Sequence, residues 1–265
     1  MEKKQPYEFL PPDTTPLWRF VSLPKFLSLL HSAKLYFNRA DTFSDRWEGA
    51  FNEGSVREQA KLMGVEVPED LIKLACWIPT HSYVSCWHAA EHESMALWSI
   101  YGEECGGVAL KTSMGKLSKA FSPRSESHDS NLFSQEVCAV QYIDYKTEHP
   151  FLNDLCGPLC YKRQAFAFEQ EIRVIRMLLP TTPTRREDGS KGRAIHMAEP
   201  PERTGMLVET ELGELVDEIY VAPESPAYLL DSVRGVLKRY EFSIPVRQSE
   251  LDDIPEFSFR NLTKR

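Results

Sequence analysis

The strongest constraint on the fold is a succession of short strand-like segments separated by amphipathic helical ones. LWRFVS (17–22), KLYFNRAD (34–41), THSYVSCWHA (80–89), GGVALKTS (106–113), EVCAVQYIDY (136–145) and EQEIRVIRML (169–178) carry the β-branched and aromatic residues of strands. Between them, Pro24 opens a helix whose stripe is Phe26, Leu27, Leu29, Leu30 and Ala33. Residues 55–76 read as helix in two pieces broken around Gly64 to Asp70, and 91–102 as a helix stopped by Gly102. Further helices are expected over 153–168 and 227–240, two strand-like pieces around Gly213, and a last strand over 242–249. The expectation is one α+β domain over 17–250, with short strands in a split or curved mixed sheet and helices flanking it. A polar, Pro-rich lead (1–16) precedes it and a tail (251–265) follows. Residues 181–205 are charged and rich in Gly and Pro, and read as an exposed excursion or long hairpin connection.

Composition narrows the function classes. The chain has 265 residues with 31 Lys+Arg against 39 Asp+Glu, a formal charge of −8 that argues against broad, sequence-independent DNA binding. No run approaches the length of a membrane span and the start lacks a secretory apolar stretch, so a cytoplasmic protein with no membrane partner is expected. Cysteines 76, 86, 105, 138, 156 and 160 form no evenly spaced framework and are expected to be reduced and mostly buried. Neither G-x-G-x-x-G nor a phosphate-loop motif is present, leaving a dinucleotide-fold hydride transferase or a P-loop NTPase without support.

Three segments place polar residues where chemistry is possible. Arg19, between Trp18 and Phe20, can be a partly buried anion-binding guanidinium or an edge-strand residue facing water. Ser85 shares a strand face with Tyr83, opposite Val84 and Cys86. It is either a polar group at a pocket floor or a core serine; no nucleophile elbow surrounds it. Glu169, Glu171 and Arg173 follow at spacing two, which on a strand puts two carboxylates and a guanidinium on one face. Such a pair repels unless a cation or substrate hydroxyl offsets it, and suits a general base or a cation-stabilising group; the alternative is a surface ion pair. Two metal readings also exist: Cys86, His88, His92 and Cys105 as a zinc set, and Asp41, Asp45 and Glu48 as a divalent-ion site. The acids are otherwise turn-shaping residues, and no metal is expected. Arg185, Arg186, Lys191, Arg193 and Arg203 could meet a nucleic-acid or acidic acceptor, or form a solvated loop.

The ordered set LWRF, FLSLLHSAKLYFNRADTFSDRWEG, YVSCWHAAEHESMALWSIYG, GVALKTSMGKL, YIDY, YKRQAFAFEQEIRVI and VDEIYVAPESP resembles the bacterial domain-of-unknown-function family two-nine-seven-one, from about Leu17 to Ser249. Arg46 departs from that family's usual proline, and 181–205 looks like an insertion. The order Arg, Ser, Glu-x-Glu is also similar to that of ADP-ribosyltransferases. That resemblance implies an ADP-ribosyltransferase-like fold with NAD as substrate. It implies that Arg19 contacts the pyrophosphate or ribose, Ser85 braces the nicotinamide ribose, Glu171 binds the 2′-hydroxyl and Glu169 serves the acceptor. Val84-Ser85-Cys86 departs from the superfamily's serine–threonine–serine. Tyr36, Trp87 and Tyr101 are the expected clamp for the departing ring, with core packing as the alternative for each. The function so implied is an NAD-dependent ADP-ribosyltransferase or NAD glycohydrolase acting as a toxin or phage-defence effector. It would have a protein or nucleic-acid acceptor and an antitoxin or operon partner. The alternatives are a non-catalytic nucleotide-binding or regulatory module and a metal-dependent nucleic-acid-acting defence protein.

Overall fold

The computed structural model describes residues 10–50, 53–63, 69–102, 106–121, 132–148, 150, 155–185, 189 and 191–253. Its strands are β1 (Pro16–Ser22), β2 (Lys34–Arg39), β3 (Ser82–Ala89), β4 (Gly107–Ser113), β5 (Leu132–Ala139), β6 (Gln141–Ile143) and β7 (Tyr161–Arg163). They continue as β8 (Glu171–Leu178), β9 (Thr181–Arg185), β10 (Lys191–Ile195), β11 (Gly205–Glu209), β12 (Glu218–Val221) and β13 (Val246–Gln248). The helices are α1 (Leu23–Ser32), α2 (Glu53–Met63), α3 (Glu69–Trp77), α4 (Met95–Tyr101), α5 (Met114–Ala120), α6 (Leu212–Leu215) and α7 (Ala227–Arg239). The expected α+β architecture, with mixed pairing and flanking helices, is the one observed. Chain contacts divide it into two compact units, one of residues 1–11, 36–87 and 121–208, the other of 12–35, 88–120 and 209–265.

In the first unit β5 and β8 pair antiparallel, with Val137 opposite Val174 and Cys138 opposite Arg173. β8 also pairs with β3, and Arg39 of β2 lies opposite Tyr83 of β3. The alternation read from EIRVIRML is real, and both faces of β8 are buried. Ile175 and Met177 join Val84, Trp77, Ile78, Leu159 and three cysteines in one apolar cluster. A small parallel pair, β6 with β7, and the ribbon β9–β10 complete this unit. Within the charged stretch 181–205, Thr181–Arg185 and Lys191–Ile195 form a hairpin.

In the second unit β1 runs antiparallel to β4 in full register, Arg19 opposite Leu110, and meets the end of β3 through Trp18 and His88. β4 pairs antiparallel with β12, and β12 pairs parallel with β13. Trp98 of α4 packs edge-on to Phe20 at 4.9 Å, and Trp18 edge-on to Tyr220 at 5.0 Å. These rings, with Leu97, Ala109 and Ala222, form the core of this unit.

Two expectations fail in the first unit. The helix over 153–168 is absent among the described residues. Gly157–Cys160 form a 3-10 turn, β7 follows, and Gln164–Glu169 form a second 3-10 turn. Gly157 and Pro158 break a regular helix, and the buried ionic partners of Lys162 outweigh local propensity. The strand over 169–178 starts two residues late, at Glu171, because Gln170 takes a left-handed conformation at φ 41°. Glu169 therefore closes a turn rather than sharing the strand face. Smaller differences are a strand over 136–145 that divides into β5 and β6, and Gly213, which lies inside the helical turn α6.

Candidate active site

Everything in the site belongs to the first unit, and Arg173 is its centre. Its guanidinium donates to both oxygens of Glu171, Nε to Oε1 at 2.8 Å and Nη2 to Oε2 at 2.9 Å. It also donates from Nη1 to the Leu159 carbonyl at 2.7 Å and from Nη2 to Glu48 Oε2 at 3.0 Å. Lys162 Nζ adds a second cation, 2.8 Å from Glu48 Oε1 and 3.4 Å from Glu171 Oε2, and it donates to Glu169 as well. The Cys86 thiol hydrogen-bonds Glu171. The Glu171 backbone N–H donates to the Tyr142 hydroxyl at 2.9 Å. All five ionic side chains are buried, Arg173 to 1% exposure and Lys162 to 7%.

The electrostatics follow from that geometry. Burial alone would raise the Glu171 carboxyl, but Arg173 and then Lys162 hold it down at about 2. Burial works against Lys162 too, yet the carboxylates of Glu171 and Glu48 raise it above its ordinary value. Arg173 is likewise raised, against its burial, by Glu171 and Glu48. The Cys86 thiol is pushed well up, first by burial and then by Glu171, and so stays protonated. Three carboxylates, Glu48, Glu169 and Glu171, thus surround two cations, an excess of one negative charge within the cluster.

The turn that delivers Glu48 is fixed at both ends. Buried Asp45 takes both Nε and Nη2 of Arg163, at 3.0 Å and 2.8 Å, and caps the Trp47 N–H at 3.2 Å. Gly49 ends the turn at φ 69°, the left-handed region that favours glycine, where a Cβ would come within 2.8 Å of Leu159 Cδ2.

The residues expected to form the site fare unequally. Glu169 and Glu171 are brought together through Lys162. Ser85 and Trp87 are not brought to them: strand alternation puts Ser85 on the face of β3 opposite Cys86, which is the residue that meets Glu171. Ser85 and Trp87 are buried, and the Trp87 indole N–H donates to the Ser85 hydroxyl at 3.1 Å. Tyr36 is exposed on β2, its hydroxyl where a Cβ on Gly205 would fall. Arg19, half-buried in β1, and Tyr101, exposed at the end of α4, belong to the second unit.

The metal readings meet a different arrangement. Asp41 is held by Arg39, Asp45 by Arg163, and Glu48 by Lys162 and Arg173. Among the described residues no group of three or more His, Cys, Asp or Glu is arranged to hold a metal ion. Cys105 and Arg186 lie outside the described residues. Cys138, Cys156 and Cys160 are buried free thiols as expected, whereas Cys76 is exposed. Among the described residues no helix is long and apolar enough to cross a membrane. Sequence reasoning missed Lys162 and the ionic role of Glu48. The one signal for Lys162 was its place between Tyr161 and Arg163, three residues with strand-like alternation after a Gly-Pro break.

No family model matches the chain, and no curated protein matches it. Among solved structures, Thermus sp. 2.9 DarT in complex with NAD+ is similar with a TM-score of 0.41 at 11% identity, over 92% of this chain and 100% of that one. The same protein with carba-NAD+ gives 0.39 at 11% identity, over 90% and 97%. With ADP-ribosylated ssDNA it gives 0.38 at 13% identity, over 90% and 94%. At these values the likeness stands as a finding alone, and the chemistry below is drawn from this chain's own residues.

Proposed function

We propose that the chain is an NAD-consuming enzyme of the ADP-ribosyltransferase or NAD glycohydrolase class, acting as a toxin or phage-defence effector. The observation that carries this reading is the buried carboxylate excess around Glu169 and Glu171, with Glu171 held ionised at a value of about 2. When the bond between ribose C1′ and the nicotinamide nitrogen breaks, its electron pair leaves with the ring, which departs neutral. Positive charge builds on C1′. Fixed negative charge in a site sheltered from water favours that transition state over the ground state. The acceptor, a hydroxyl, an amide or water, then bonds to C1′ and gives up its proton to Glu169, the acceptor-side base in this reading. Glu171 takes the 2′-hydroxyl in this reading, as the Arg–Ser–Glu resemblance implies.

A second reading, a nucleotide-binding module without turnover, has its own observation. Arg173 takes both oxygens of Glu171, and Lys162 and Cys86 fill its remaining acceptor positions. A substrate hydroxyl must displace the long Lys162 contact or the thiol to reach it.

Nicotinamide release from NAD+ separates the two. The purified chain with cell lysate should release nicotinamide, and Glu171→Gln should lower the rate by about a hundredfold or more. Glu169→Gln, which loses the ion pair to Lys162, should lower transfer to an acceptor more than hydrolysis. A thermal melt of each variant shows whether it is folded. NAD+ that raises the melting temperature of the wild type without any release would select the binding module.

A further inference from the structure

Trp18, Trp77, Trp87 and Trp98 are 2%, 7%, 1% and 3% exposed, whereas Trp47, the fifth tryptophan, is 40% exposed. It sits on a turn held from both sides. Asp45 on one side is locked to Arg163, and Glu48 on the other is locked to Lys162 and Arg173. The Ala50 N–H closes back on the Trp47 carbonyl at 3.2 Å, and the indole rests on buried Tyr145 with centroids 5.1 Å apart. Exposed Arg46 precedes it in the same turn. The side chains of Asp45 and Glu48 are therefore spent inward, while Arg46 and Trp47 are presented outward on a backbone with little freedom. A large ring fixed on a rigid support with part of its surface open offers a flat ligand a stacking face at little entropic cost.

We propose that the Arg46–Trp47 turn is a nucleotide subsite, with a planar base stacked on the open face of Trp47 and a phosphate held by Arg46. An aromatic face accepts any heteroaromatic ring, and a neighbouring guanidinium supplies the charge that a phosphate needs. Glu48, the next residue, ties the same turn to the buried carboxylate cluster. The subsite deepens the reading proposed above and rests on it. Either ring of NAD+ has the required chemistry, and the test distinguishes them.

Iodide quenching of tryptophan fluorescence reports mainly on Trp47, since the other four are buried. The test uses the full chain carrying Glu171→Gln, to prevent turnover, with NAD+, AMP and nicotinamide as probes and calorimetry alongside. NAD+ should shield Trp47, Trp47→Ala should weaken its binding about tenfold or more, and Trp47→Phe should keep most of it. Shielding by AMP assigns the adenine ring to Trp47; shielding by nicotinamide assigns the other ring. If NAD+ binds by calorimetry with no shielding, and Trp47→Ala binds equally well, the subsite is overturned while the NAD reading stands. If AMP shields Trp47 but NAD+ does not bind, the subsite stands and the NAD reading falls. Binding of none of the three overturns both.

Discussion

Glu171 and Arg173 are two residues apart on β8, close enough in sequence for their pairing to be read from alternation. Glu48, which completes the grip on Arg173, is 125 residues away and was legible only as an acid in a turn. The pairing has consequences for stability. A carboxyl held at about 2 in the fold, against an ordinary value near 4.5, stabilises the protein only while ionised. That stabilisation is complete above the ordinary value and is lost as pH falls through the native value. Its loss between about pH 4.5 and 2 amounts to roughly 3 kcal/mol. Urea midpoints taken between about pH 6 and 3 should therefore fall steeply for the wild type and less for Glu171→Gln. Equal slopes would place the acid sensitivity elsewhere. Arg173→Met should be the more damaging change, since it leaves Glu48 and Glu171 buried with Lys162 as their remaining cation. A cost of about 3–5 kcal/mol is expected from denaturant unfolding. A loss below about 1 kcal/mol would mean that water reaches the cluster.

Among the elements, those set by alternation or by an apolar stripe were legible, and those set by distant partners were not. β1, β3, β4, α1 and α7 fall within a residue or two of their expected bounds because their own side chains decide which face is buried. The sequence reads as helix over 153–168, where the structure has two 3-10 turns on either side of β7. The conformation of that segment is instead set by the ion pairs of Lys162 and Arg163, which no local pattern encodes. The Asp45–Gly49 turn is a second case of this kind, and it gives a sharp test. Gly49 lies at φ 69°, and a Cβ there meets Leu159. Gly49→Ala should cost about 1–2 kcal/mol from backbone strain alone. It should also alter Trp47 emission, because the same turn carries both. Measured in a Leu159→Ala background, the cost of Gly49→Ala should lose the part due to contact and keep the part due to φ. Loss of the whole cost would show that crowding, not backbone conformation, fixes the glycine.

At the scale of the molecule, each unit gathers three separate stretches of chain, and the division falls inside β2 and β3. Chain order shows which residues carry chemistry but not which stretches gather. Arg19 and Tyr101, for instance, stand in the second unit and Glu171 in the first. Net charge, by contrast, is read from the sequence directly, and it bears on how an anionic nucleotide arrives. The chain carries −8. NAD+, the proposed substrate, is itself a net anion at neutral pH, so the long-range field would oppose its approach while the proposed contacts at Arg46 and Trp47 would act within a few ångströms. Salt separates these effects. The screening length shrinks from about 30 Å at 0.01 M to about 8 Å at 0.15 M. That removes most of the repulsion at a distance and leaves stacking untouched. The association rate of NAD+, followed by stopped-flow emission from Trp47, should therefore rise about threefold over that range, with little change in the dissociation rate. A rate that instead falls with salt would mean that Arg46 and Arg163 steer the ligand more strongly than the whole molecule repels it. Substituting Arg46→Gln should then reverse the slope.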